Sequence, residues 1–205
     1  MTDYHFYRPE EGHRLPHSPL NAIVAPRPIG WISTIGKDGT RNLAPYSFFN
    51  LINYDPPLVA FASSGWKDTV ANIEASGEFV WNLATRAQAE AMNASSASVE
   101  PGVDEFALAK LGTLPSSIVA PPRVAGSPVH FECKMTQLIR LEDRHGDELD
   151  QWLVIGEAVG IHIDPAMLED GVYQTARPVP ITRGGGPADY FAITQDALFK
   201  MKRPD

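Results

Sequence analysis

Four side chains with phosphate chemistry fall within one short stretch, Ser63-Ser64-Gly65-Trp66-Lys67-Asp68-Thr69. The hydroxyls of Ser63, Ser64 and Thr69 can donate to phosphate oxygens, and Lys67 supplies positive charge. Small residues at a strand end let backbone N–H groups approach an anion closely. A helical pattern starting near Thr69 would aim its first N–H groups and its dipole at the same place. The Gly-x-x-x-x-Gly-Lys-Ser/Thr spacing of a P-loop is absent. The same residues also read as a solvated turn with a helix N-cap, and both readings stand. Upstream, Tyr46-Ser47-Phe48-Phe49-Asn50 mixes flat side chains with hydrogen-bonding groups, which is what a planar heterocycle requires. Strand alternation lets only one of Phe48 and Phe49 face a ligand.

Arg27 sits between Pro26 and Pro28, which hold it extended. It reads either as a stiffly held anion ligand or as a surface arginine. Lys67, Arg27 and Arg183 are candidates for a local basic pocket. Arg183-Gly184-Gly185-Gly186, followed by Tyr190, reads as a flexible turn carrying one cation. The histidines of the first nineteen residues have no spacing that fits a compact metal site. No triad and no carboxylate pair is evident, so no catalytic side chain is assigned.

The elements that position these residues are mostly strands. Ile29 to Ile35 forms a strand that turns at Gly36-Lys37-Asp38-Gly39. Asp55-Pro56-Pro57 makes a second turn before a strand from Leu58 to Ala62. A short helix from Thr69 to Ala75 stops at Gly77, and Phe79 to Leu83 is the next strand. Thr85 opens a capping box before an alanine-rich helix, and Asp104 caps a helix from Glu105 to Leu111. These helices interrupt a β pattern and belong on the outside. Pro115 to Pro128 is extended. From Val129 the alternation is clear: Val129, Phe131, Cys133 and Met135 face inward, while His130, Glu132, Lys134 and Thr136 face solvent. A hairpin tip at Gly146 leads to a strand from Trp152 to Ile163, in which Gly156 and Gly160 mark a bulge or a close approach. His162, between Ile161 and Ile163, points away from them and reads as within reach of a nicotinamide or, more simply, as packed or solvated. Short strands joined by turns argue an antiparallel barrel or sandwich.

The chain resembles the flavin reductase-like, FMN-binding split-barrel family, which includes flavoredoxin-like proteins. The matching stretches are APRPIGWIST (25–34), NLAPYSFFN (42–50), DPP (55–57), SSGWKDTVANI (63–73), GEFVWNLAT (77–85), SPVHFECKM (127–135), WLVIGEAVGIHID (152–164) and RGGGPADY (183–190). The resemblance implies a mostly β fold: a six-stranded antiparallel split barrel of Greek-key type with peripheral helices. It implies one domain over residues 1–205 with an N-terminal arm over 1–19, and a homodimer holding FMN near the subunit interface. The implied cofactor residues are Arg27, Tyr46, Ser47, Phe48, Phe49, Asn50, Ser63, Ser64, Lys67, Asp68, Thr69 and Asn72. Arg183 and Tyr190 follow as second-rank candidates, because the third glycine and the Pro187-Ala188-Asp189 spacer depart from the commoner shorter form. The implied activity is hydride transfer from NADH or NADPH to flavin, with a monooxygenase or another acceptor downstream. The alternatives are a tightly bound FMN electron carrier and a non-catalytic haem- or ligand-binding barrel, for which His130 or His162 is the strand-borne axial candidate.

The 205 residues suffice for one sizeable core. A net charge of −8 disfavours nucleic acid and anionic membrane as partners. Cys133 is the sole cysteine, so no intrachain disulfide forms, which fits a reducing cytoplasm. No apolar run is long enough to span a bilayer, and no signal peptide is evident. Tyr4, Phe6 and Tyr7 are placed to anchor the arm on the barrel or on a partner subunit.

Overall fold

A computed structural model describes residues 3–204; the first two residues of the expected arm, and Asp205, lie outside them. In chain order the elements are α1 (Leu20–Ile23), β1 (Arg27–Pro28), β2 (Gly30–Ile35), β3 (Arg41–Tyr46), β4 (Phe49–Asn53), β5 (Leu58–Ser64), α2 (Asp68–Ser76) and β6 (Glu78–Asn82). Then come α3 (Ala89–Ala94), α4 (Glu105–Leu108), β7 (Thr113–Leu114), β8 (Arg123–Val124), β9 (Val129–Glu142) and β10 (Glu148–Ile163). The last strands are β11 (Leu168–Glu169), β12 (Val172–Tyr173), β13 (Ile181–Arg183) and β14 (Tyr190–Ala192).

The main sheet is antiparallel and runs β3-β2-β6-β9-β10-β5-β4. Strands far apart in that order nevertheless meet. Tyr46 at the end of β3 packs on Phe61 of β5 with ring centroids 4.7 Å apart. Phe49 of β4 stacks on Trp81 of β6 at 5.5 Å and 9°. The sheet is therefore curled into a half-barrel, as expected, with seven strands where six were expected. The additional strand is β4. Its residues beyond Phe49 are exposed, including Leu51 and Ile52, so it lacks the alternation by which a half-buried strand is recognised.

Curling gives β2 two buried faces. Ile32 points into the barrel with Phe61, Phe79, Cys133 and Val154. Trp31 points outward, where Met92 of α3 and Phe106 of α4 cover it together with Val124. The helices thus lie outside the barrel and close a second core. The expected capping box does not form: Thr85 makes no side-chain cap, and a 3-10 turn at Arg86–Gln88 leads into a shorter α3. The helix expected to reach Leu111 ends at Leu108, while Asp104 caps it by accepting from Phe106 N and Ala107 N. Gly156 sits at a register shift between β9 and β10, and a Cβ there would come within 2.4 Å of the Phe79 ring. In the arm, Tyr4 and Phe6 stand in solvent rather than on the barrel of their own chain.

One expectation fails on the polar side of β9. Lys134 and Thr136 are exposed as predicted, but His130 is 3% exposed and Glu132 is 0% exposed. The proline-rich segment before β9 lies over them, and alternation within one strand carries no sign of such a cover. That segment presents backbone N–H groups without strand partners, and Glu132 satisfies them. Its carboxylate accepts from Ser117 N (2.7 Å), Ile118 N (2.6 Å) and Val119 N (3.0 Å), and contacts His162 Nε2 at 2.5 Å. Burial alone would raise its pKa; these donors hold it down to about 2. His130 Nδ1 donates to Asn82 Oδ1 at 2.8 Å, an oxygen that also accepts from Val124 N at 2.8 Å. Burial, with Arg123 and His162 nearby, pushes His130 down to about 4.

A buried neutral histidine makes stability depend on pH. Between its ordinary value of 6.5 and about 4, the unfolded chain binds a proton that the folded chain refuses. This contribution is complete above pH 6.5 and is lost as pH falls through that window, by about 3 kcal/mol at most. Denaturant unfolding at several pH values should show His130→Asn flattening the slope between pH 6.5 and 4. An unchanged slope would exclude His130 as its source.

Candidate functional site

β5 ends at Ser64, and Gly65 then adopts a φ of +84°, which redirects the chain into α2. The turn is fixed by Gly65 N donating to Asp150 O at 3.0 Å. Lys67 occupies the N-cap of α2 and its side chain makes no cap, so it leaves the first-turn N–H groups open to a ligand. Gly77 in the left-handed region closes the helix, donating to Ile73 O at 2.7 Å. Beside the helix start lies a cavity of about 330 Å³, within the range of small-molecule sites. Asn42, Ala44, Pro45 and Tyr46 of β3 form one wall, and Trp66 to Thr69 another. Residues 95–101 and Glu105 close it.

The polar groups around this cavity differ in kind from end to end. Lys67 is exposed and has no ion pair among the described residues. Thr69 is 1% exposed and its Oγ1 accepts from Asn42 Nδ2 at 2.8 Å. Ser63 is buried and donates to Gly65 O at 3.0 Å. The Tyr46 hydroxyl is buried beside Thr69 and Ser63 yet closes no hydrogen bond of ordinary geometry, and burial raises its pKa. Asp68 accepts from Gly102 N at 2.8 Å, tying the loop that covers the cavity to α2. Glu105 is buried, accepts from Leu43 N at 2.9 Å, and has its pKa raised chiefly by that burial. The start of α2 thus offers donors and the Lys67 charge, the chemistry that holds a phosphate, while Asp68 and Glu105 add carboxyl groups to the same lining.

The structure brings together Tyr46, Lys67, Asp68 and Thr69, with Ser63 beneath them. Phe49 is turned inward onto Trp81, and Phe48 outward, so one of the two phenylalanines is free, as alternation required. Ser47 is half-buried. Asn50 is exposed, its side-chain oxygen accepting from Leu51 N at 2.9 Å. Ser64 faces out and donates to Gln151 Oε1 at 2.8 Å, and Asn72 donates to Thr34 Oγ1 at 3.1 Å.

The basic pocket expected from Lys67, Arg27 and Arg183 does not assemble at this cavity. Arg27 and Arg183 are cross-strand partners in a separate small sheet, β1-β13-β14. Arg27 is 8% exposed and donates to Asn21 O (2.5 Å), Val24 O (2.6 Å) and Gly184 O (3.1 Å), with Phe48 5.9 Å beneath it. It clamps α1 and the glycine loop through their carbonyls. Arg183 stacks on Tyr190 at 4.7 Å and donates to Pro187 O at 2.9 Å. Its glycine run is packed rather than flexible: a Cβ at Gly185 would come within 2.2 Å of Ala22 Cα. Among the described residues no group of His, Cys, Asp and Glu could hold a metal ion.

Among the lining groups that escaped the sequence reading are Asn42, Glu105 and the loop 95–101. Asn42 stands at the head of the NLAPYSFFN stretch, so its signal was available. Glu105 arrives on the distant short helix α4 and residues 95–101 in the loop between α3 and α4, and no local pattern announces their place at the cavity.

The model of the flavin reductase like domain matches residues 24–182, and the chain belongs to that family. An Aquifex aeolicus protein is 36% identical over 165 residues, covering 77% of this chain and 81% of that one. Nitrilotriacetate monooxygenase component B from Bacillus cereus is 29% identical, with a TM-score of 0.81 over 89% of this chain and 90% of that one. A Shewanella frigidimarina structure with a split barrel domain has a TM-score of 0.79 at 22% identity, covering 90% of each chain, a likeness of fold alone. The chain is therefore a flavin-linked oxidoreductase of split-barrel fold.

The partnerless Tyr46 hydroxyl makes a stability prediction. Tyr46→Phe should leave the ligand-free protein as stable as the wild type, or more stable by about 1 kcal/mol, in urea unfolding. A loss larger than that would show that the hydroxyl is bonded.

Proposed function

We propose that the chain binds FMN in the cavity beside α2 and passes hydride to it from NADH or NADPH. The observation that carries this reading is the donor-rich end of that cavity: unpaired Lys67, Thr69 and the uncapped start of α2, next to the Tyr46 wall. This donor set fits a flavin phosphate. Lys67 gives it charge, Thr69 gives it a hydroxyl, and Ser63 holds the Gly65 turn that places them. Backbone amides of 46–50, with Ser47 and Asn50, would hydrogen-bond the polar edge of a ring reaching past the Tyr46 wall, and such donors would stabilise the charge that reduction places there. Phe48, half-exposed beneath Arg27, would lie against the ring face where the flavin extends beyond the cavity. The flavin supplies the redox chemistry, while the protein supplies binding, orientation and electrostatics. No side chain has to act as acid or base.

The chain works as one domain, with residues 1–19 as an arm, and as a homodimer in the cytoplasm. The apolar trough of about 420 Å³ between Trp81, Phe131, Ile161, Ile163, Ile181 and Ile193 supports the dimer, since a second copy would remove it from water. The likeness to a monooxygenase component B supports an oxygenase as the consumer of reduced flavin.

Lys67→Ala should weaken FMN binding roughly ten- to a hundredfold while leaving the fold intact, because a charge-assisted hydrogen bond is worth about 1.5–3 kcal/mol. Titration of FMN into both proteins measures this, and equal affinities would exclude Lys67 from the site. Without oxygen, NADH or NADPH should bleach the FMN-loaded protein. Bleaching by dithionite but by neither nicotinamide would leave the electron-carrier reading in its place. Light scattering should give twice 22.4 kDa; a monomer that binds FMN would contradict the dimer.

A further inference from the structure

Thr69 lies at the donor-rich end of the cavity, and a buried amide determines what its hydroxyl can do. Asn42 of β3 stands directly opposite Thr34 of β2 in the sheet register. Its Nδ2 donates one hydrogen to Thr34 Oγ1 at 3.0 Å and the other to Thr69 Oγ1 at 2.8 Å. Thr34 Oγ1 also accepts from Asn72 Nδ2 at 3.1 Å, so the amide is braced from the far side as well. Thr34, Asn42 and Thr69 are all buried, and little water competes for these bonds.

A hydroxyl has one hydrogen and two lone pairs. Because Asn42 donates into Thr69, the Thr69 hydrogen cannot point back at Asn42. It is left for another acceptor: the Tyr46 hydroxyl lies beside it without closing a bond of ordinary geometry, and Thr69 also lines the cavity beside Lys67. An unbraced hydroxyl could turn a lone pair toward an anion and repel it. A braced one, with one lone pair held by Asn42, is biased to present its hydrogen beside Lys67.

We infer that Asn42 is a positioning residue that holds the Thr69 hydroxyl as a donor to the phosphate of bound FMN, an inference that rests on the flavin reading above. Asn42 therefore matters for FMN and not for riboflavin, which has the same ring and lacks the phosphate. A residue needed only for packing would affect both ligands alike.

FMN and riboflavin are titrated separately into the full chain freed of flavin, as wild type, Asn42→Leu, Thr69→Val and the double variant. Asn42→Leu and Thr69→Val should each lower FMN affinity by about tenfold and riboflavin affinity by less than about twofold. The double variant should lose no more than either single one, since Asn42 acts through Thr69. The inference is overturned if Asn42→Leu weakens both ligands equally, if Thr69→Val has no effect, or if the two losses multiply. Should Asn42→Leu not fold, Asn42→Ser, too short to reach both threonines, gives the same comparison. A wild type that binds riboflavin as tightly as FMN would instead sink the phosphate site itself.

Discussion

The buried hydrogen bonds from Asn42 to Thr34 and Thr69 join β2, β3 and α2 at a single point. Leaving such a buried polar group unpaired costs about 1–3 kcal/mol, so the strands and the helix are held in one mutual arrangement. That arrangement sets where α2 begins. Everything at the cavity follows from it: the N-cap position of Lys67, the exposed first turn, and the Tyr46 wall that β3 presents alongside. The curl of the sheet serves the same end. It brings β3 and β5 together through Tyr46 and Phe61, although four strands separate them in the sheet order.

Polar groups do comparable work on the outer side of the barrel, without any link to chemistry. Glu132 gathers three backbone N–H groups from the proline-rich segment, and Asn82 joins His130 to Val124. These bonds fasten irregular chain to a regular sheet where no ladder can reach. The two histidines that could have suggested a haem ligand are engaged here, His130 with Asn82 and His162 with Glu132.

Much of this was legible in the sequence. Gly36 to Gly39 turns as glycines in a hairpin should, α2 stops at Gly77, and Gly156 marks both a register shift and a close approach to Phe79. The donor cluster from Ser63 to Thr69 was legible because strand, turn and helix start follow one another within a few residues. What stayed hidden arrives from elsewhere in the chain. Glu132 and His130 look solvent-facing until a segment more than ten residues earlier in the chain is laid over them. Arg27 looks like an anion ligand until its neighbours' carbonyls are found to occupy it. An exposed edge such as β4 carries no alternation for a sequence reading to detect.

In the proposed function, the start of α2 is the place where a flavin phosphate binds. A crystal structure of the chain with FMN addresses it most directly. Phosphate oxygens should lie within hydrogen-bonding distance of Lys67 Nζ, Thr69 Oγ1 and the first N–H groups of α2. A phosphate held instead at the Arg183 glycine loop, with Lys67 and Thr69 untouched, would contradict it.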